Sequence, residues 1–192
     1  MKLQGRYYKM SGPAPTRESF RSQPVNLEMV EGNEHLGKCL VIYAHCIGGS
    51  IHQGILMRED EKEGIQQEIV DLCERYQPTR VLEVGFGMGF TATQFQECGI
   101  EKHVIVEAHP QMADDARRWR ENYPAKDIEI VEEFFQDYIY NEKDYDFIYD
   151  DRFEMIDKGR EYREHLRTQG FMFRKNTNAF PCWKVIVDRG KK

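Results

Sequence analysis

The stretch Arg80-Val81-Leu82-Glu83-Val84-Gly85-Phe86-Gly87-Met88-Gly89-Phe90 decides how the chain is read. Val81, Leu82 and Val84 supply the near-continuous apolar run of a strand covered on both faces, and Pro78 just upstream stops whatever helix precedes it. Gly85, Gly87 and Gly89 permit a tight turn and a close approach of a ligand to the backbone. A helix opening near Phe90 aims its free N–H groups at the same place. The stretch is therefore a cradle of the nucleotide-binding kind.

The next strand, His103-Val104-Ile105-Val106-Glu107, ends in an acid about 20 residues beyond the glycines, where dinucleotide folds hold a ribose hydroxyl. The same residues separate two adenosine cofactors. Nicotinamide and flavin dinucleotides want G-x-G-x-x-G and a helix dipole on a pyrophosphate. Here the glycines fall as E-x-G-x-G-x-G with Glu83 leading them, and a carboxylate suits an ammonium while repelling a pyrophosphate. The pattern resembles motif I of class I methyltransferases, which bind S-adenosylmethionine. That resemblance implies Glu83 near the cofactor's cationic amino end, with Gly85, Phe86 and Gly87 lining the turn.

A chain of 192 residues suits one domain with a sizeable core, and 40% hydrophobic residues with 12% aromatic exclude a disordered chain. The net charge of −6 argues against nucleic-acid binding through a broad basic field and fits a cationic substrate drawn to an acidic site. No apolar run reaches the length of a membrane span, and the first residues lack the apolar core of a signal peptide. A soluble cytoplasmic protein with neither nucleic-acid nor membrane partner is expected. Cys39, Cys46, Cys73, Cys98 and Cys182 contain no C-x-x-C pair, so reduced thiols and no structural metal are expected.

Residues 1 to about 25 are broken by Gly12, Pro13 and Pro15 and read as an arm or flap. Two strand-like runs, 38–44 and 50–57, flank Gly48-Gly49 and predict a hairpin. Residues 1–60 are thus expected as an N-terminal arm and hairpin roofing the site, and 61–192 as the main domain. The charged run from Arg58 to Glu63 leads into a helix whose Ile65, Ile69, Leu72, Cys73 and Tyr76 share one face. Ala92 and Phe95 point inward from the next helix, closed by Gly99; Pro110 opens another, with Met112, Ala113, Ala116 and Trp119 as its buried stripe. Further strands fall at 127–131, 145–150 and 171–173, with a helix marked by Met155, Gly159, Tyr162 and Leu166 before the last, and a final strand at 183–187. Such alternation implies an α/β fold with right-handed crossovers and a parallel sheet. Ligands in these sheets sit beyond the carboxyl ends of the strands, which brings together Gly87, Glu107, Phe134 to Gln136, Asp150 and Asp151.

Within the class I methyltransferases the resemblance narrows. Val81-Leu82-Glu83-Val84-Gly85-Phe86-Gly87-Met88 resembles the V-L-E-V-G-F-G-M of guanidinoacetate N-methyltransferases, and Glu107-Ala108-His109-Pro110 resembles the E-A-H-P of protein arginine N-delta-methyltransferases. It covers about residues 54 to 180. It implies a Rossmann-like fold with strand order 3-2-1-4-5 and the 183–187 strand added at the edge beyond strand 5. It also implies that Glu107, beside Ala108, holds the ribose hydroxyls and that Phe134-Phe135 stand beside the adenine. The family's D-x-I-x-x-D matches Asp146, Ile148 and Asp151, which makes Asp151 the counterpart of a catalytic acid. A second substrate acid belongs to an upstream G-x-x-M-x-x-W-E element. Aligning Gly54 and Met57 with it points to Asp60, counting back from motif I points to Glu63, and both stand as candidates.

Two departures bear on function. The part after the fifth strand is shorter than the family's, and Asp151 is followed by Arg152-Phe153-Glu154 where the family has T-Y-P or T-F. The resemblance implies methyl transfer to a guanidino nitrogen of a cationic small molecule or an arginine residue. Against it stand methylation of another amine or an oxygen nucleophile, and an inactive methyltransferase-like binding subunit. The shortened C-terminal part favours that last alternative, or a homo-oligomer that completes the site from a neighbour.

Overall fold

The computed structural model describes residues 26–32, 34–45, 51–140, 145–150, 165–166, 168–175 and 185–188. The chain divides into two compact units, one of Met1–Ile65 with Met155–Asp157 and one of Gln66–Glu154 with Lys158–Lys192.

The first unit contains an antiparallel sheet of β1 (Asn26–Glu31), β2 (Lys38–His45) and β3 (Ile51–Arg58), in the order β1-β2-β3. The β2–β3 pair is the expected hairpin, and its Gly48-Gly49 turn lies outside the described residues. Strand β1 was not legible, because Asn-Leu-Glu-Met-Val-Glu mixes charge and apolar residues as an outer strand does. Cys39, Leu40 and Val41 of β2 are buried. After β3 a 3₁₀ turn, Glu59–Glu61, follows; Glu59 accepts the Lys38 backbone N–H at 2.8 Å, and Glu61 accepts that of Arg58 at 2.9 Å. These bonds tie the charged run to the sheet of its own unit.

The second unit is built on six strands: β4 (Arg80–Val84), β5 (Lys102–Glu107), β6 (Asp127–Glu132), β7 (Phe147–Asp150), β8 (Met172–Lys175) and β9 (Val185–Asp188). Their order is β6-β5-β4-β7-β9-β8. The β6-β5-β4-β7 part is parallel with β4 and β5 central, as expected. The far edge corrects the expected order. Strand β9 pairs antiparallel with both β7 and β8, so it occupies the slot beside β7 and leaves β8 outermost. The physical reason lies in the composition: Val-Ile-Val is typical of an interior strand, whereas Met-Phe-Arg-Lys, with two charged residue types, is typical of an edge.

Helices α1 (Lys62–Tyr76), α2 (Phe90–Glu97) and α3 (Pro110–Arg120) supply apolar partners for one face. There Ile69 and Leu72 pack with Val81, Phe95, Phe147 and Tyr149, while Ala92 and Ala116 pack with Phe86 and Ile105. The other face carries Leu82, Val84, Val104, Val106 and Ile148 against Phe135 and Tyr138 of the short helix α4 (Phe135–Tyr138), with Leu166 and Phe171. Residues 165–166 and 168 are helical, and Gly170 closes that turn; the expected start of this helix lies outside the described residues. At the amino end of the sheet, Asp146 accepts the Thr79 N–H at 3.1 Å, the Arg80 N–H at 3.0 Å and the Thr79 hydroxyl. This carboxylate pins the starts of β4 and β7 in register.

Candidate cofactor site

The carboxyl ends of four adjacent strands lie side by side. Val84 is level with Val106 and with Asp150, and Glu107 is level with Glu132. The chain leaves β4 with the Gly85 N–H donated to Val106 O at 2.8 Å and closes a turn by Gly89 N–H to Phe86 O at 2.9 Å. Gly85 (φ 87), Gly87 (φ 55) and Gly89 (φ 72) all take the left-handed conformation that side-chain-bearing residues resist. Two of them differ in what they face. A Cβ on Gly85 would meet nothing within 4 Å, so that side of the turn is open; one on Gly89 would lie 2.8 Å from Phe86 Cζ. The Phe86 ring in turn rests on Trp119, 5.7 Å between centroids. The turn is thus braced from behind and open in front.

Glu107 faces this turn. Its Oε2 accepts the Phe86 N–H and its Oε1 the His109 N–H, each at 2.8 Å. Burial raises its proton affinity above the usual carboxylate range, and the hydrogen bonds from His109, Phe86 and Ala108 oppose that rise. The Phe86 and His109 bonds fall on different oxygens, so the carboxylate keeps acceptor capacity for a hydroxyl donor. Ala108 follows on the same lip and is half-buried, and His109 caps α3.

Glu83 is 2% exposed, and its Oε2 lies 2.9 Å from Nε2 of the fully buried His103. Gln96 Nε2 lies 3.0 Å from His103 Nδ1. Burial, then the charge of Glu107, raises the Glu83 proton affinity well above the ordinary value, while burial pushes the His103 pKa down to about 3. The glycine-turn pattern points to Glu83 but not to His103 or Gln96. The available signal was a histidine inside the apolar β5 run, which demands a buried polar partner.

The remaining expected residues fall as follows. Phe134 is the buried N-cap residue of α4, and Phe135 belongs to the core cluster behind the parallel strands. Asp150 is buried at the end of β7. Asp60, in the first unit, has its Oδ1 3.0 Å from Nε of Arg58, and so stands beside a guanidinium of its own chain. Glu63 is exposed in the first turn of α1. Asp151 lies outside the described residues. Among the described residues no group of His, Cys, Asp and Glu is arranged to hold a metal ion, and no helix is long and apolar enough to cross a membrane.

Comparison with solved structures returns methyltransferases among its matches. An SAH-bound Podospora anserina methyltransferase is 21% identical over 55% of this chain and 46% of its own, with a TM-score of 0.47. A putative caffeoyl-CoA O-methyltransferase from Staphylococcus aureus is 17% identical over 64% and 82%, TM-score 0.45. A magnesium protoporphyrin IX methyltransferase from Synechocystis, solved with bound SAM, is 13% identical over 66% and 77%, TM-score 0.41. The chain therefore spans less than half the length of the first of these. The family model described as guanidinoacetate N-methyltransferase matches residues 69–179, more than half of the chain and all four parallel strands of the sheet around the glycine turn. By that match the chain belongs to the guanidinoacetate N-methyltransferase family.

Proposed function

We propose that this protein transfers the methyl group of S-adenosylmethionine to a guanidino nitrogen of a cationic small molecule or an arginine side chain. The observation that carries this reading is the Glu107 carboxylate, held by two backbone N–H groups at the lip of an open glycine turn, in a chain of this family. The residues present fit the cofactor. Glu107 has oxygens to accept ribose hydroxyls, the free face of Gly85 leaves room against the backbone, and Phe134 and Phe135 follow the neighbouring strand end, where the adenine would lie.

When bound, S-adenosylmethionine supplies an electrophilic methyl carbon on a sulfonium, whose sulfur takes back the C–S electron pair as a neutral thioether. The chain's own task is to prepare the nitrogen. A guanidinium is protonated at neutral pH and its nitrogens are delocalised, so it is a poor nucleophile until a base accepts a proton. Asp151 is the residue we assign to that role. Its carboxylate grips the planar fork, localises charge on the gripped nitrogens, and takes the proton as the N–C bond forms. No general acid is required, because the leaving sulfur is neutral. What remains is to hold nitrogen, methyl carbon and sulfur in line.

The test is incubation with isotope-labelled S-adenosylmethionine and a panel of guanidines, arginine peptides, other amines and alcohols, read by mass spectrometry. Label on a guanidino nitrogen is expected. Label only on another amine or on oxygen overturns the substrate class, and cofactor binding without any transfer overturns the enzyme.

A further inference from the structure

Trp119 enters no step of the methyl transfer described above, yet contacts from two helices and a strand converge on it. Its indole N–H donates to Thr93 Oγ1 at 3.0 Å, and its ring lies 5.7 Å from Phe86, 6.4 Å from His103 and 4.9 Å from Tyr123, centroid to centroid. The sequence prepares this place. Met112, Ala113 and Ala116 are the buried stripe of α3, and Trp119 continues it at the next helical interval. The small side chains of Ala116 and of Ala92 on α2 pack with Phe86 and Ile105, and beside them the indole reaches from α3 to Thr93 on α2.

Phe86 itself is held through both backbone and ring. Its N–H donates to Glu107 Oε2 at 2.8 Å, its carbonyl accepts the Gly89 N–H at 2.9 Å, and its ring lies so close to Gly89 that a Cβ there would stand 2.8 Å from Cζ. Trp119 packs against that ring. The same helix α3 is tied to Glu107 at its other end, where the N–H of its N-cap residue His109 donates to Oε1 at 2.8 Å. The contacts close a circuit within the second unit: Glu107 to the Phe86 backbone, the Phe86 ring to Trp119, Trp119 along α3 to His109, and His109 back to Glu107.

We propose that Trp119 is a positioning residue of the cofactor cradle: by holding the Phe86 ring against Gly89 it keeps the Phe86 N–H on Glu107, and so fixes the direction in which that carboxylate meets a ribose. It stands behind the turn and acts through Phe86. Hydrogen bonds weaken steeply as their angles degrade, so a carboxylate that turns loses its ligand before the fold loses its core. With the indole removed, the Phe86 ring has room to leave Gly89, the turn follows because its glycines tolerate wide rotation, and Glu107 keeps only the His109 bond. Phenylalanine at this position supplies a ring but no N–H for Thr93, which is why an indole serves here.

This inference rests on the S-adenosylmethionine reading, so its test begins without the ligand. Trp119→Leu, Trp119→Phe and Thr93→Val are compared with the native protein at a temperature where circular dichroism shows each folded. Amide hydrogen exchange read by nitrogen-15 NMR should show the Phe86 amide of Trp119→Leu losing about tenfold more protection than the strand amides of Leu82 and Val104, whereas a purely structural loss would lower all of them together. Calorimetry with S-adenosylmethionine, S-adenosylhomocysteine and adenosine, which share the ribose, should then show all three weakened by one factor, roughly tenfold in Trp119→Leu and less in the two milder variants. In the Glu107→Gln background Trp119→Leu should cost little further affinity, because both act through one contact. Ile69→Val, which loosens the core outside the circuit, should lower the thermal midpoint and leave affinity alone. Equal exchange losses at Phe86 and in the strands, or affinity losses that add in the double variant, overturn the proposal; if Trp119→Leu does not fold, Trp119→Phe and Thr93→Val carry the same comparison. Failure of the native protein to bind any of the three ligands overturns the cofactor reading instead, and the Phe86 exchange still decides whether Trp119 holds the turn.

Discussion

Glu107→Gln is the sharpest probe of the cradle, because it keeps the shape of the side chain and removes only the charge and one acceptor. In the native arrangement Oε2 takes the Phe86 N–H and Oε1 the His109 N–H, both at 2.8 Å. A glutamine offers one oxygen and one NH₂, so one of the two backbone donors must face another donor. Losing a charge-assisted hydrogen bond costs about 1.5–3 kcal/mol, and at roughly 2–4 °C per kcal/mol for a chain of this size the midpoint of thermal unfolding should fall by about 3–12 °C. The ribose contact proposed for Glu107 would lose its charge as well. A further ~1.5–3 kcal/mol corresponds to roughly 10- to 150-fold weaker S-adenosylmethionine binding by calorimetry. Glu132→Gln is the control: Glu132 is level with Glu107 on β6 but exposed and paired with Arg117 at 2.9 Å, so it should cost no more than ~1 kcal/mol and leave affinity alone. If Glu107→Gln unfolds at the native temperature and binds with native affinity, the carboxylate is no part of the site.

Asp151→Asn should lower turnover by roughly two orders of magnitude or more with S-adenosylmethionine affinity kept; an unchanged rate on the preferred substrate removes the carboxylate mechanism. Gly85→Ala and Gly89→Ala should separate, the first costing about 1–2 kcal/mol for its left-handed backbone while obstructing the cofactor, the second losing more stability through contact with Phe86, as comparison of thermal melts with binding titrations would show. His103 is neutral in the fold down to about pH 3 but protonates near 6.5 when unfolded, so it contributes stability that is full above 6.5 and lost as pH falls toward 3. His103→Gln should therefore flatten that part of the pH–stability curve in chemical denaturation, and an unchanged acid limb would contradict the assignment. Asp60→Asn and Glu63→Gln should be told apart by KM for the guanidine: only the acid that binds substrate should raise it, and neither should cost more than ~1 kcal/mol of stability at these exposed positions.

What the sequence made legible was local. The apolar run 81–84, the glycines after it and the acid closing the 103–107 strand carry their meaning within one strand-turn-helix-strand stretch. The inward faces of α1, α2 and α3 follow from periodicity alone, and Ile69, Phe95 and Ala116 are buried as that periodicity requires. Neighbours across the sheet are another matter. That His103 meets Glu83 depends on the stagger between two parallel strands, and that β9 lies between β7 and β8 depends on a pairing between residues far apart in the chain. The Val-Ile-Val composition of β9 is a local hint of an interior position, but it does not name the neighbours. For Asp60 the residue type was read, whereas its engagement with Arg58 only two positions earlier was not.

The Asp146 clamp has a bearing on how the chain reaches this structure. Its bonds to Thr79 and Arg80 join positions separated by 67 and 66 residues, and β4 and β7 cannot lie in register until that span has closed. Closing a loop of that length costs roughly 4 kcal/mol of chain entropy before any strand pairing repays it. Such a contact belongs late in a folding reaction of high contact order, after β4 and β5, whose intervening α2 closes a much shorter span, have already met. A nascent chain emerging from the ribosome therefore holds the glycine turn and Glu107 ready well before the strand that carries Asp150 can dock beside them.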